Sequence, residues 1–141
     1  MNVNIQLLNT NSKPPTRADS GAAGLDLYVS DVKSLGRGLI EYDTGIAIEI
    51  PPGHVGLLFP RSSIRNMGQV FANSVGVLDS SYRGSVKITT RRTDETNYEF
   101  YQVGDRCGQL IIIPYPEITL VPVQKLTETK RGTGGHGSSG R

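Results

Sequence analysis

The chain has 141 residues with 36% hydrophobic side chains, 17 glycines and 8 prolines, which describes one turn-rich domain with no room for two cores. The formal net charge is +2 with acids and bases interspersed, so no concentrated basic face marks a nucleic-acid partner. No apolar stretch approaches a membrane span, and Cys107 is the only cysteine, which excludes an internal disulfide and a cysteine metal cluster.

Met1 to Thr10 has neither a charged start nor an apolar signal core, so a cytosolic or nuclear location is the expectation. In chain order, period-2 alternation appears at Val3, Ile5 and Leu7, then at Leu25, Leu27 and Val29, then at Ile46, Ile48 and Ile50, and again at Val86 and Ile88. Val55 to Phe59 and Leu110 to Ile113 are continuous apolar runs, the pattern of strands buried on both faces. Glu117 to Val123 is a further strand candidate, with Pro122 placing it at an edge or a strand end. Ser20-Gly21, Pro51-Pro52-Gly53, Arg83-Gly84 and Val103-Gly104-Asp105 punctuate these runs. One short helical turn is predicted, from Ser62 to Met67. Strands at this spacing predict an all-β sandwich or jelly roll. Cys107 heads an apolar run and reads as a small buried hydrophobe. From Thr127 to Arg141 alternation stops and glycine dominates, a composition that on its own describes a flexible tail.

Several segments carry chemistry. Arg131-Gly132-Thr133-Gly134-Gly135-His136-Gly137-Ser138-Ser139-Gly140 combines glycines that let backbone N–H groups approach an anion with hydroxyl donors and one guanidinium fork. It lacks the Lys-Ser or Lys-Thr of a P-loop. Pro60-Arg61-Ser62-Ser63 follows an apolar strand and suits either a phosphate cradle or a capped turn. Asp79 closes the apolar run Val75 to Leu78 and precedes a turn, where a carboxylate can take a proton from water and Tyr82 can offer a flat face to a sugar or base. The plain alternative is a turn-forming Asp with a packing Tyr. Asp26 lies opposite the leucines of Leu25-Asp26-Leu27, so a solvated outward carboxylate is the simplest expectation, and metal-bound water the functional one. Asp105 and Arg106 read as a surface pair beside the strand that starts on Gln109.

Taken together, and in this order, these segments resemble the homotrimeric deoxyuridine triphosphate nucleotidohydrolases, the dUTPases. Ala23-Gly24-Leu25-Asp26-Leu27 resembles the first family motif and Pro60-Arg61-Ser62-Ser63 the second. Gly76-Val77-Leu78-Asp79 with Tyr82-Arg83-Gly84 resembles the third, Gly104-Asp105-Arg106 with Gln109-Leu110 the fourth, and Arg131 to Gly140 the fifth. The resemblance implies an all-β, jelly-roll-like distorted barrel over residues 1–126, with a flexible arm over 127–141 that closes on the active site. It further implies a homotrimer whose three sites are shared between subunits, and hydrolysis of dUTP to dUMP and pyrophosphate with Mg²⁺. By position, Asp79 matches the general base and Tyr82 the ring that packs on deoxyribose. Asn73, with the backbone of a nearby hairpin, matches the reader of the uracil edge. Arg61, Ser62 and Gln109 match phosphate contacts, and Ser63 of the same motif is a further substrate-binding position. Asp26 matches the acid that holds the metal through water. Arg131, His136, Gly137 and Ser138 match the arm over the nucleotide.

Three positions depart from the family pattern. His136 stands where many members carry Phe, Ser81 where many carry a second acid, and Thr89-Thr90-Arg91-Arg92 replaces a more apolar end of the third motif. Two rival readings frame the expectation. The related dCTP deaminases share the Arg-Ser-Ser motif, but the Glu they need is missing from Ser85 to Thr90. A member that acts by binding another protein is the other rival, and the presence of every expected catalytic residue type argues against it.

Overall fold

The computed structural model describes residues 1–93, 96 and 99–135. Ten strands and a single 3-10 turn form the regular structure of these residues. The strands are β1 (Asn4–Leu7), β2 (Leu25–Tyr28), β3 (Asp31–Gly36), β4 (Leu39–Asp43), β5 (Ile46–Glu49), β6 (His54–Phe59), β7 (Gln69–Phe71), β8 (Gly76–Leu78), β9 (Lys87–Arg92) and β10 (Arg106–Pro114). Every ladder is antiparallel. One four-stranded sheet runs β2-β10-β6-β8, a second runs β3-β4-β9-β7, and β1 pairs with β5. The protein is thus all-β and jelly-roll-like, with sheet edges that do not close into a complete barrel.

The alternating segments explain the core. Leu27 and Val29 from the β2 region, Ile46, Ile48 and Ile50 around β5, and Val86 and Ile88 around β9 all bury their side chains. Leu58, Leu78 and Leu110 meet them from the first sheet, and Tyr42 and Phe71 from the second. Tyr42 and Tyr101 pack edge to face with centroids 5.3 Å apart, a favourable aromatic geometry. Gln69 is buried beside them with both ends of its amide hydrogen-bonded. Its Oε1 accepts from Tyr42 Oη at 3.0 Å and from Thr90 Oγ1 at 2.6 Å, and its Nε2 donates to the Glu99 carbonyl at 2.6 Å. That accounts for one unusual residue of the Thr89 to Arg92 segment: Thr90 serves a buried polar network, and such networks are tolerated when every member is satisfied.

The structure departs from the sequence reading in several places. The hairpin of β3 and β4 and the short β7 carry too little apolar alternation to stand out, although Gly36, Arg37 and Gly38 all adopt positive φ and make the hairpin turn. Ile5 and Leu7 of β1 are exposed, because nothing among the described residues covers that face. Glu117 to Val123 forms no strand. Pro116 and Pro122 remove ladder donors there, and Ile118, Leu120 and Val121 stand in solvent. Strand structure ends at Pro114. The runs Val55 to Phe59 and Leu110 to Ile113 are buried on one face only. Their other face carries Val55, Leu57, Phe59, Ile111 and Ile113, joined in register by Val77 of β8, which is 61% exposed. The helical turn is present, as a 3-10 turn over Ser62–Asn66.

Candidate active site

Strand β6 is the spine of the site, because candidate residues gather at both of its ends. At its C-terminal end the chain leaves Phe59 through Pro60 into Arg61, whose extended backbone starts the 3-10 turn. Hydrogen bonds from Ile64 N to Arg61 O (3.1 Å) and from Met67 N to Ile64 O (3.0 Å) close that turn. Arg61 Nε donates to Asp26 Oδ1 at 2.9 Å, and Arg106 Nη1 donates to Asp26 Oδ2 at 3.1 Å. Asp26 is only 8% exposed. It is therefore not the solvated carboxylate that alternation alone suggests. It points to the outer side of its sheet, but the segment from Thr16 to Gly24 folds over it. Thr16 pairs with the Asp26 backbone (N to O 2.7 and 3.2 Å), and Arg17 Nη1 holds the loop by donating to the carbonyls of Ala22 and Ala23. A buried carboxylate between two guanidinium groups satisfies the rule that buried charge is paired and hydrogen-bonded.

Arg106 and Asp105 do not pair with each other. Asp105 Oδ2 accepts from the Gln102 backbone N–H at 2.7 Å and caps the turn before β10, which leaves Arg106 for Asp26. Gln109, opposite Asp26 in the ladder, donates from Nε2 to the Pro60 carbonyl at 3.0 Å. A Cβ at Gly24 would collide with Gln109 Oε1, so this glycine makes room for the amide. Ala23, Gly24, Asp26, Arg61, Ser62 and Gln109 line a cavity of about 330 Å³. Ser63 lines a neighbouring cavity with Tyr101 and Arg106. The structure thus brings Asp26, Arg61, Ser62 and Gln109 together and sets Ser63 on the far side of Arg61.

At the other end of β6, β8 delivers Asp79. Leu78 pairs with Gly56, so Asp79 follows level with Val55, and the two line a cavity of about 490 Å³ with His54, Ser80, Ser81 and Tyr115. The Asp79 carboxylate is exposed and takes no side-chain partner among the described residues. Tyr82 N donates to the Asp79 carbonyl at 3.1 Å and closes the turn. Tyr82 Oη donates to the Ser85 carbonyl at 2.9 Å, and its ring lies where a Cβ on Gly84 would be. The ring is thus fixed over a glycine while the residue as a whole stays 42% exposed, a platform for a flat or apolar ligand group. Asn73 is exposed in the segment joining β7 to β8. That segment is not a paired hairpin: β7 pairs with β9 and β8 with β6, in different sheets. From Val55 to Arg61 the strand rise of about 3.3 Å per residue separates the two ends by about 20 Å.

In the described part of the tail, Arg131 Nε donates to the Gly134 carbonyl at 2.9 Å and forms a local turn. His136, Gly137 and Ser138 lie outside the described residues. Among the described residues no cluster of three or more His, Cys, Asp or Glu could cage a metal ion. Asp26 is a fitting donor, since its carboxylate has lone pairs beyond the two that the arginines use, enough to accept from metal-bound water. Cys107 is fully buried, and burial pushes its thiol up to about 12, as expected of a structural and unreactive cysteine.

A family model described as dUTPase matches residues 10–140. The chain belongs to the dUTPase family. Among its relatives, the deoxyuridine 5'-triphosphate nucleotidohydrolase of Yarrowia lipolytica is 37% identical, covering 99% of this chain and 90% of the relative. The enzyme of the same name from Mycobacterium leprae is 41% identical over 89% of this chain and 86% of its own. Among solved structures, the dUTPase of Staphylococcus bacteriophage 80alpha with dUpNHpp superposes with a TM-score of 0.86 at 25% identity, covering 99% of each chain. A variant dUTPase from phage phi11 of S. aureus, described with a structural Mg(II) ion, shares the fold at a TM-score of 0.76 and 22% identity, over 89% of this chain and 98% of that one.

Proposed function

We propose that this dUTPase-family protein hydrolyses dUTP to dUMP and pyrophosphate, so lowering the dUTP pool and supplying dUMP for dTMP synthesis. Water attacks the α-phosphorus, and Asp79 is the general base that takes its proton. Its exposed carboxylate, with no competing side-chain partner among the described residues, suits that task. The Tyr82 ring stacks against the deoxyribose and leaves no space for a 2′-hydroxyl, while Asn73 reads the uracil edge. Arg61, Ser62 and Gln109 hold the phosphates and meet charge that grows on the leaving group, and Ser63 is a further substrate contact from the neighbouring cavity. Asp26 would hold Mg²⁺ through water, and the metal would supply charge neutralisation for the triphosphate. Residues 127–141 act as the arm, with Arg131, His136, Gly137 and Ser138 covering the triphosphate above the domain of residues 1–126.

The observation that carries this reading is the separation of the two half-sites. One chain puts its base and its sugar platform about 20 Å from its phosphate cluster, too far for a single nucleotide to use both with a water in line. A homotrimer resolves the difficulty. An apolar stripe of half-buried Leu57 and Ile111 with exposed Val77 and Ile113 runs between the two ends, and a neighbouring copy seated on it brings its Asp79 to this copy's Arg61. The exposed Ile118, Leu120 and Leu126 offer further surface for burial between subunits. The site is then shared between copies of the chain.

The test is pyrophosphate release from dUTP with Mg²⁺, with dTTP, UTP and dCTP as controls. Turnover of dUTP alone is expected. Equal turnover of dUTP, dTTP and UTP would remove the specificity assigned to Asn73 and Tyr82, and a uracil-containing product from dCTP would replace hydrolysis with deamination.

A further inference from the structure

We infer that Arg106 is a positioning residue for the phosphate site, which it serves by locking Asp26 so that Asp26 in turn aims the Arg61 guanidinium. The inference rests on the dUTP reading above and goes beyond it, since it gives a role to a residue that reading leaves unused.

The geometry begins with an irregularity in β10. Gln109 stands opposite Asp26 and Gly108 opposite Leu27, but Arg106, not Cys107, stands opposite Tyr28. One extra residue has been taken up between Arg106 and Gly108, which makes this a β-bulge. In an unbroken ladder Arg106 would fall opposite Val29, whose side chain is fully buried, and would point into the core. The bulge moves it by one position, and a one-residue slip carries a side chain to the other face. Arg106 therefore emerges on the face of Asp26 and Gln109. Cys107, the extra residue, turns inward and is fully buried. Gly108 is needed beneath it, because a Cβ there would meet Ile88 Cδ1 at 2.5 Å and the Phe59 carbonyl at 3.2 Å.

The consequence lies in how Asp26 is held. With Arg61 alone, a carboxylate can rotate about its last bond and swing the guanidinium with it. With Arg106 on the second oxygen at 3.1 Å and Arg61 on the first at 2.9 Å, that rotation is blocked. Arg61 spends its Nε on Asp26, and the two terminal nitrogens of its planar fork are left for an anion. Arg106 thus acts at one remove, through Asp26, on the direction of those nitrogens.

The experiment compares Arg106→Gln, Arg106→Lys, Arg61→Gln and the double variant Arg106→Gln/Arg61→Gln as full-length protein. dUTP turnover and the affinities for dUTP and dUMP are measured, with folding checked by thermal melting. Dead wild-type protein towards dUTP would fail the functional reading, whereas the outcomes below bear on Arg106 alone. Arg106→Gln should raise KM for dUTP about tenfold or more with a smaller change in kcat, and should weaken dUTP far more than dUMP. Arg106→Lys, which keeps the charge but not the fixed fork, should recover only part of the loss. Because Arg106 works through Arg61, Arg106→Gln should add little on the Arg61→Gln background. An unchanged KM in a folded Arg106→Gln protein overturns the proposal. So does equal weakening of dUTP and dUMP, and so does a double variant whose loss is the product of the two single losses, since that marks direct phosphate contact. If Arg106→Gln does not fold, Arg106→Lys decides: wild-type KM in that variant overturns the proposal, and a raised KM with retained dUMP affinity supports it.

Discussion

The two ends of β6 are built by opposite rules. At the Arg61 end, side chains from β2, β10 and the 3-10 turn lock one another. Asp26 is buried between two arginines, Gln109 is tied to the Pro60 carbonyl, and a glycine leaves space for the amide. At the Asp79 end the backbone turn is fixed but the functional groups stand free: Asp79 and Asn73 are exposed, and Tyr82 shows one side of its ring. A phosphate cluster must hold several cationic and polar donors in place before substrate arrives, because preorganised donors need no rearrangement as charge develops. A base and a sugar platform need only the right direction, provided a second surface closes over them. The difference teaches that one end is finished by the chain itself, whereas the other needs the neighbouring copy of the proposed shared site to finish it.

The sharpest way to break this comparison is subunit mixing. Asp79→Asn should retain nucleotide binding and lose turnover by about 10²–10⁴-fold, the usual contribution of general base catalysis. Arg61→Ala should be comparably impaired. If each site takes Asp79 from one copy and Arg61 from another, unfolding and refolding the two variants together should restore about a quarter of wild-type activity, from sites that draw both intact halves. Pyrophosphate release is the readout. Absence of recovery in a mixed oligomer would place both ends of one site in one chain.

Removal of the arm is next in size. If residues 127–141 act as the proposed arm over the triphosphate, truncation after Lys130 should reduce turnover about a hundredfold or more, while the oligomer seen by size-exclusion chromatography stays intact. A truncated protein that retains wild-type turnover would take Arg131 to Ser138 out of the site. Asp26→Ala probes the built end instead. It leaves two partly buried guanidinium groups without their counter-charge and should cost about 1–3 kcal/mol, read as a lower melting temperature. The Asp79→Asn protein should melt as wild type, because that carboxylate has no side-chain partner among the described residues to lose.

Particular residues show why one end was easier to read than the other. Leu25, Leu27, Val29, Ile46, Ile48 and Ile50 declare their strands through alternation, which is local information. Asp79 before its turn is local too, and its exposed position agrees with the sequence. Asp26 is different. Its partners come from 35 and 80 residues further along the chain, so nothing near it signals that it is buried. The bulge that turns Arg106 outward leaves no one-dimensional trace, because the same letters in a regular ladder would pair Arg106 differently. The strands β6 and β10 were read as buried on both faces, yet one face is half open in the chain. Periodicity responds to apolar side chains and does not distinguish a core from a subunit contact.

Two glycines at the built end sharpen the contrast further. Gly24→Ala would press on the end of a flexible amide, so Gln109 can turn away at little cost in stability. The expected result is a wild-type melting temperature with kcat/KM for dUTP lowered about tenfold. Gly108→Ala would press on Ile88 and on the Phe59 backbone carbonyl, neither of which can leave. Overpacking of that kind costs about 1–3 kcal/mol. If both variants melted alike, the division between a movable site layer and a fixed core beneath it would be wrong.

The smallest expected effect concerns that core layer and pH. The Cys107 thiol is fully buried and is pushed from 9.0 up to about 12 by loss of hydration, and burial also raises Tyr42 and Tyr101. Above pH 9 the unfolded chain therefore loses protons that the folded chain keeps, and stability falls as pH rises through the window from about 9 to 12. The thiol alone should cost about 1 kcal/mol by pH 10, or a few degrees in melting temperature. Cys107→Ala should flatten that alkaline slope whatever its own offset at neutral pH, and the native wild-type thiol should resist iodoacetamide at pH 8. Rapid alkylation of folded protein would mean that the bulge opens readily. Arg106 and the arginine cluster above it would then be no more fixed than the exposed turn at Asp79, and the distinction between the two ends of β6 would be lost.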